Sequence, residues 1–302
     1  MAISRAQLAK ELEPGLNALF GLEFGRYENE HSEIYEEESS DRAFEEEVML
    51  GGFSTAPVKS EGGAISFDDA QETYTARYTH ETIALAFSIT EEAIEDNLYD
   101  RLASRYTKAL ARSMATTKQI KAAAVLNNAF SAGVNAIGDG AALCSVSHPS
   151  LSGNQTNLLA TAADLNETSL EQMLIDIAGF TDERGLKIAV RGTKLVIPKE
   201  LQFIAERVLN SNLRSGTADN DNNAMKNMGM LPEGAVVNHY LTDTDAFFIK
   251  TDAPNGFKYF NRASIKTAME GDFDTGNMRF KARERYSFGV SDWRCVFGTP
   301  GA

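Results

Sequence analysis

The residues able to do chemistry are few and widely spaced. Four histidines, His31, His80, His148 and His239, never fall at the i, i+4 spacing of a helical metal site. Cys144 and His148 stand four apart and could give zinc two ligands, but no second pair accompanies them, so a satisfied loop histidine is the expectation and no metal or cofactor is expected. The same pair could mark a thiol nucleophile and its base, which keeps an α+β enzyme with a site near Cys144 and His148 as a rival reading. Gly52-Phe-Ser-Thr-Ala56 lacks the last glycine of a nucleophile elbow. Asp219-Asn-Asp-Asn-Asn223 opens like a calcium loop, then places Ala224 and Met230 where the sixth and twelfth positions need Gly and Glu. No phosphate-binding glycine loop and no H-E-x-x-H occurs. The expectation is a protein that is not an enzyme.

Charge is the stronger signal. The 302 residues carry a formal charge of −14, against the basic surplus of most nucleic-acid and anionic-membrane binders. Residues 28–47 hold ten acids and one base, a local −9, so the other residues carry only −5. Glu36, Glu37, Glu38, Glu45 and Glu46 are among them; the segment reads either as a solvated loop or as an arm that lies on a basic surface. Such a surface exists in the sequence. Arg279, Lys281, Arg283 and Arg285 occupy alternate positions and share one face of a strand, with Phe280, Ala282, Glu284 and Tyr286 on the other. Complementarity between neighbouring subunits is the reading preferred over a solvated, aggregation-resistant edge.

The elements that must carry these charges follow from pattern. A short amphipathic segment around Ile3, Leu8 and Leu12 is expected to stop at Pro14-Gly15. Thr73–Thr79 alternates as a strand, a second strand, Ile83–Phe87, follows almost at once, and residues 51–72 have too few bulky apolar side chains for a core of their own. Ser88-Ile-Thr-Glu91 has capping-box spacing, and with no Gly or Pro before Gly133 a helix of about 40 residues, ~60 Å, is expected. Leu98, Leu102, Ala109, Thr116, Ile120 and Ala124 would share its apolar side, with Arg101, Arg105, Lys108 and Arg112 beside them. Residues 131–165 read as loop or short hairpin. A second capping box, Thr168 to Glu171, opens a helix ending near Gly185; strands 186–190 and 194–197 follow, then a helix started by Pro198. Residues 210–234, with six asparagines, read as a polar loop, and the remainder as strands at 236–237, 246–250, 257–260 and a final pair from 278 to 297.

No run reaches the roughly 18 apolar residues of a membrane helix. The start lacks the apolar region of a secretory signal, which argues against a cell-surface protein, and two cysteines 151 positions apart form no disulfide framework, so a reducing cytoplasm is expected.

This order of elements resembles a family. The arm, the glycine-punctuated hairpin, the return strand Glu81-Thr-Ile-Ala-Leu-Ala-Phe-Ser-Ile-Thr feeding an acid-started long helix, and Lys194-Leu-Val-Ile-Pro-Lys-Glu-Leu-Gln-Phe-Ile-Ala-Glu-Arg-Val-Leu-Asn look like a tailed-bacteriophage major capsid protein. The closing Phe288-Gly-Val-Ser-Asp-Trp-Arg-Cys-Val-Phe-Gly is similar to the ends of Mu-like head subunits. The resemblance implies the α+β Hong Kong 97-type fold. On that mapping residues 1–50 are the N-terminal arm, 51–82 the extended loop, 83–165 the peripheral domain with its spine helix, 166–250 the axial domain, and 251–302 the strands that return to both.

The resemblance also implies assembly of pentamers and hexamers into an icosahedral virion shell, built in the host bacterial cytoplasm. The shell would enclose double-stranded DNA without sequence-specific binding. Portal protein, a separate scaffolding protein and a decoration or cement protein are the implied partners. With the hairpin starting near residue 51 and the sequence beginning at Met1, scaffolding is expected from a separate protein. Some relatives crosslink a lysine to an asparagine; Lys59 lies in the corresponding loop, without an identifiable partner, and is carried only as a candidate contact. An encapsulin-like, non-viral shell is the near alternative.

Overall fold

The computed structural model describes residues 5–90, 92–93, 99–133, 137–214, 221–272 and 275–302. Its order is helix α1 (Arg5–Phe24), strands β1 (Glu36–Ser39), β2 (Phe44–Gly51), β3 (Gln71–Thr79) and β4 (Glu81–Ile89), the spine helix α2 (Tyr99–Asn127), and α3 (Glu167–Ala178). Then come β5 (Gly192–Ile197), α4 (Gln202–Asn210), α5 (Ala224–Met228), β6 (Ala235–Val237), β7 (Phe247–Thr251), β8 (Phe257–Gly271), β9 (Met278–Val290) and β10 (Val296–Thr299).

Three sheets organise the chain. The first has the order β1-β8-β9-β4, the second β10-β7-β5-β6, and β2 pairs with β3 alone. The second sheet buries Leu195, Val196, Ile197, Phe247, Phe248, Ile249 and Phe297 with Leu170, Met173 and Ile177 of α3 and Val125 and Leu126 of α2, which makes the larger core. A smaller core joins Leu16 and Phe20 of α1, Leu110, Ala111 and Met114 of α2, and Phe280 and Ala282 of β9. The spine helix thus passes through both cores, which is why it is long: at ~1.5 Å per residue its 29 described residues span ~43 Å.

Several sequence expectations change. Helix α1 continues through Pro14, because burial of Leu16 and Phe20 on α2 outweighs the roughly 3 kcal/mol that an interior proline costs. Ser88 does not cap the spine; β4 runs to Ile89, and Thr90 Oγ accepts from Ala93 N at 3.4 Å instead. The expected helical start at 91 and 94–98, including Leu98, lies outside the described residues, as does the Leu102 side chain. The described spine ends at Asn127. Its apolar side is also rotated: Ala103, Leu110, Ala111, Met114, Ala122, Val125 and Leu126 are buried, while Ala109 and Ile120 are exposed. The helix carries apolar residues on more than one side, and the two cores select the side with Leu110, Met114, Val125 and Leu126.

Helix α3 starts two residues early, on Asn166, whose side chain accepts from Ser169 N while the Ser169 hydroxyl accepts from Asn166 N, and it ends at Ala178. Residues 186–190 form no strand and contribute one bridge, Thr181 with Lys187. The polar loop at 210–234 contains α5, capped by Asn223. The last two strands are not partners: β9 lies between β8 and β4, whereas β10 pairs with β7 in the other sheet.

Candidate functional site

Strand β9 sits in the middle of the first sheet, and its alternation is the expected one. Phe280, Ala282, Glu284 and Tyr286 are buried; Arg279, Lys281 and Arg283 are exposed and Arg285 half-buried. The inner row faces the spine, where Lys118 Nζ lies 2.6 Å from Glu284 Oε2. On the outer row Arg279 pairs with Asp272. Among the described residues Lys281 and Arg283 make no ion pair, and Arg285 Nε is buried without a partner. Lys266 of β8 stands opposite Arg283, so like charges face each other across the strands, an arrangement that needs an anionic cover.

The same face continues to Ser287, Gly289 and Ser291, and there the chain covers itself. Hairpin β2–β3 crosses it: Tyr78 bonds Ser291, Ser287 Oγ is 3.0 Å from His80 Nδ1, and Glu47 reaches both Ser291 and Lys258. Gly289 makes this possible, since a Cβ there would stand 2.6 Å from the Tyr78 ring. Lys258 is 8% exposed and also holds Glu38 at 3.0 Å. Burial alone would lower its pKa, but the hydrogen bonds it donates to Glu47 and Glu38 outweigh that and hold it above the ordinary lysine value.

The acidic segment is therefore neither a free loop nor wholly an outward-facing arm. Glu36, Glu37 and Glu38 lie on exposed strand β1, with Glu37 Oε1 3.3 Å from Asn261 Nδ2. Glu45 accepts from Ser40 Oγ at 2.7 Å, and Glu46 is 3.7 Å from Arg77. Strand β2 begins at Phe44, so the hairpin starts before Gly51 and takes Glu45, Glu46 and Glu47 into it. Further up, buried Lys194 holds Glu33 at 2.9 Å and Glu233 at 3.0 Å, and Glu30 meets His239 at 2.8 Å. Lys194 and Lys258, which anchor the acidic segment, are the residues that the sequence reading of the charges missed; each is a lone lysine inside an apolar strand pattern, and that placement was the available signal. Lys59 is exposed in the stretch between β2 and β3 and makes no ion pair among the described residues.

The rival thiol site does not assemble as a reaction centre. Cys144 is buried, and burial pushes its thiol far above the ordinary range. His148 is fully buried, stacked 4.5 Å from Trp293, with Nδ1 2.7 Å from Asp139 and Nε2 3.0 Å from Asn157. Asn157 in turn donates to the carbonyls of Leu143, Trp293 and Val296. These groups lock a loop onto the C-terminal strand. Among the described residues no cluster of ligating side chains could hold a metal, and no helix is long and apolar enough to cross a membrane.

A family model described as phage capsid protein matches residues 73–298. The chain belongs to the phage capsid protein family. Solved structures share the fold of this capsid protein. The capsid of cyanophage P-SCSP1u is 12% identical over 89% of this chain and 86% of its own, with a TM-score of 0.55. The capsid of Myoviridae phage XM1 is 13% identical over 89% of each chain, TM-score 0.51. A virus-like particle from Pyrococcus furiosus is 9% identical over 94% of this chain and 97% of its own, TM-score 0.53. No curated protein matches the chain in sequence. The capsid protein has the α+β Hong Kong 97-type fold that the element order implied, and the family match favours a phage capsid over the encapsulin-like alternative. Its place is the virion.

Proposed function

We propose that this capsid protein acts by assembly alone, with no catalytic step, and that its copies form pentamers and hexamers of an icosahedral shell closed around double-stranded DNA held without sequence-specific contacts. The observation that carries the reading is a face that no described residue of its own chain covers: Lys281, Arg283 and Lys266 stand exposed and without ion pairs among the described residues, on the sheet whose lower half the hairpin already covers. A monomer gains nothing from that arrangement; a neighbour with opposite charge does. The division into arm (1–50), extended loop (51–82), peripheral domain (83–165), axial domain (166–250) and returning strands (251–302) is proposed on the same footing. So is inter-subunit contact through Glu36, Glu37, Glu38, Glu45, Glu46, Lys59, Arg279, Lys281, Arg283 and Arg285.

Assembly in the host cytoplasm with a separate scaffolding protein, at a portal and with or without a decoration protein, completes the proposal. Sedimentation of the purified chain with and without co-expressed scaffolding protein tests it: fast-sedimenting particles are expected, and a slow monomer under every condition would count against the shell.

A further inference from the structure

The first sheet has two edges that no described strand covers. Among the described residues β1 pairs only with β8, and β4 only with β9. Strand β4 is nine residues long, with Leu85 47% exposed, and an edge of that length and apolarity invites pairing with another chain. Strand β1 is four residues long and exposed along its whole length.

Direction and face agree between the two edges. Strand β1 runs parallel to β8, and both β8 and β4 run antiparallel to β9, so β1 and β4 point the same way. Glu36 is paired with Lys258 and Glu38 with Phe260, which stand opposite Gly289 and Ser287 of β9. Both glutamates therefore share the face that carries Arg279, Lys281, Arg283 and Arg285. On β4 the residues of that face are Thr82, Ala84, Ala86 and Ser88, opposite Arg285, Arg283, Lys281 and Arg279. All four are small and exposed. A strand placed outside β4 would lie two inter-strand spacings, ~9.6 Å, from β9, and only small side chains would stand between its carboxylates and the arginines.

We infer that the β4 edge of one copy receives the β1 edge of a second copy in parallel, so that the sheets of neighbouring subunits run into one another and Glu36 of the incoming strand meets the basic row across Ala84 and Ala86. The inference rests on the shell reading and names the contact between copies. It is a head-to-tail contact, which closes into rings when the rotation per copy divides a full turn. The charges divide accordingly: Glu33 and Glu47 are held by Lys194 and Lys258 of their own chain, and Glu36, which makes no ion pair among the described residues, goes to the neighbour.

Paired cysteines test it. Glu36→Cys is combined in turn with Thr82→Cys, Ala84→Cys and Ala86→Cys; Cys144 and Cys295 are buried and stay silent. Neighbouring strands bring Cα atoms within the ~4.4–6.8 Å that a disulfide needs. After oxidation of purified shells, at least one pair is expected to give a ladder of linked chains up to five and six copies on denaturing gels, while Glu36→Cys with Asp176→Cys gives none. Shells that form without any ladder would overturn the strand pairing and leave the shell reading intact. Failure of the unsubstituted chain to form shells would overturn the reading beneath it. If the cysteine variants misfold, Glu36→Lys supplies the second measurement: assembly at low salt is expected to fall at least tenfold and to recover in the Glu36→Lys, Arg283→Glu double variant, and unchanged low-salt assembly of Glu36→Lys would refute the pairing.

Discussion

Lys118 Nζ lies 2.6 Å from Glu284 Oε2, with the two side chains 12% and 1% exposed. This contact ties the spine helix to the inner face of the very strand that carries the basic row on its outer face. Burial pushes the Glu284 carboxyl above its ordinary range, and Lys118 pulls it partway back. Removing the lysine leaves a buried carboxylate alone, which costs about 3 kcal/mol or more. A carboxyl whose folded pKa is raised binds more protons in the folded state, so the loss is relieved as pH falls. Lys118→Met is expected to lower stability by about 3 kcal/mol at pH 8 and by clearly less at pH 5, read by denaturant unfolding at the two pH values; an equal loss at both would show that Glu284 is not the group left uncompensated.

His31 gives the opposite pH dependence. It packs edge-on against Tyr259 and Phe288, with its Nδ1 unpartnered among the described residues, and burial holds its pKa below the ordinary value of about 6.5. Lys118 lowers it further, while the Gln119 contact and Glu37 oppose the shift. A histidine depressed in the folded state is neutral there, so stability is lost as pH falls below the value it has when freed. Amide protection of residues 28–35, after allowance for the intrinsic pH dependence of exchange, should therefore fall between pH 6.5 and pH 5, and His31→Phe should flatten the profile. A profile unchanged by that substitution would assign the acid response elsewhere.

Much of this was legible in the sequence, for identifiable reasons. The alternation of Arg279 to Tyr286 has period two, so the face of each side chain on β9 follows directly. The order of elements and the closing strand carried the family. Long-range matters were not legible. Glu47 and Lys258 are 211 residues apart, and no local pattern says that an acid of the arm bends back onto its own sheet. The spine's buried side depends on the two cores it passes through, because apolar residues lie on more than one side of the helix and only packing chooses Leu110, Met114, Val125 and Leu126. Pro14 and Ser88 were read by local rules that tertiary packing overrode.

Cys144 separates a packing role from a chemical one. Its burial keeps the thiol protonated, and the thiolate is the reactive form. Native chain is expected to resist a thiol reagent at pH 8 and to label at both cysteines only on unfolding, and Cys144→Ala should leave assembly intact. Rapid labelling of the native protein at Cys144 would restore the thiol-site reading.

The basic row predicts a salt signature. Arg283→Glu with Arg285→Glu should weaken assembly more at low salt than at high salt, since exposed charges are screened over ~10 Å at ~0.1 M. Light scattering across a salt series reads the difference. Equal assembly of the double variant at low salt would mean that these charges meet no opposite charge in the shell.

In the proposed shell the outer sheet face of each copy is covered by a neighbour. Cryo-electron microscopy of purified particles tests it most directly. The account predicts icosahedral shells of pentamers and hexamers in which density from an adjacent copy lies over Arg279–Arg285, and it would be contradicted by a compact monomer under all conditions or by shells in which that face is bare.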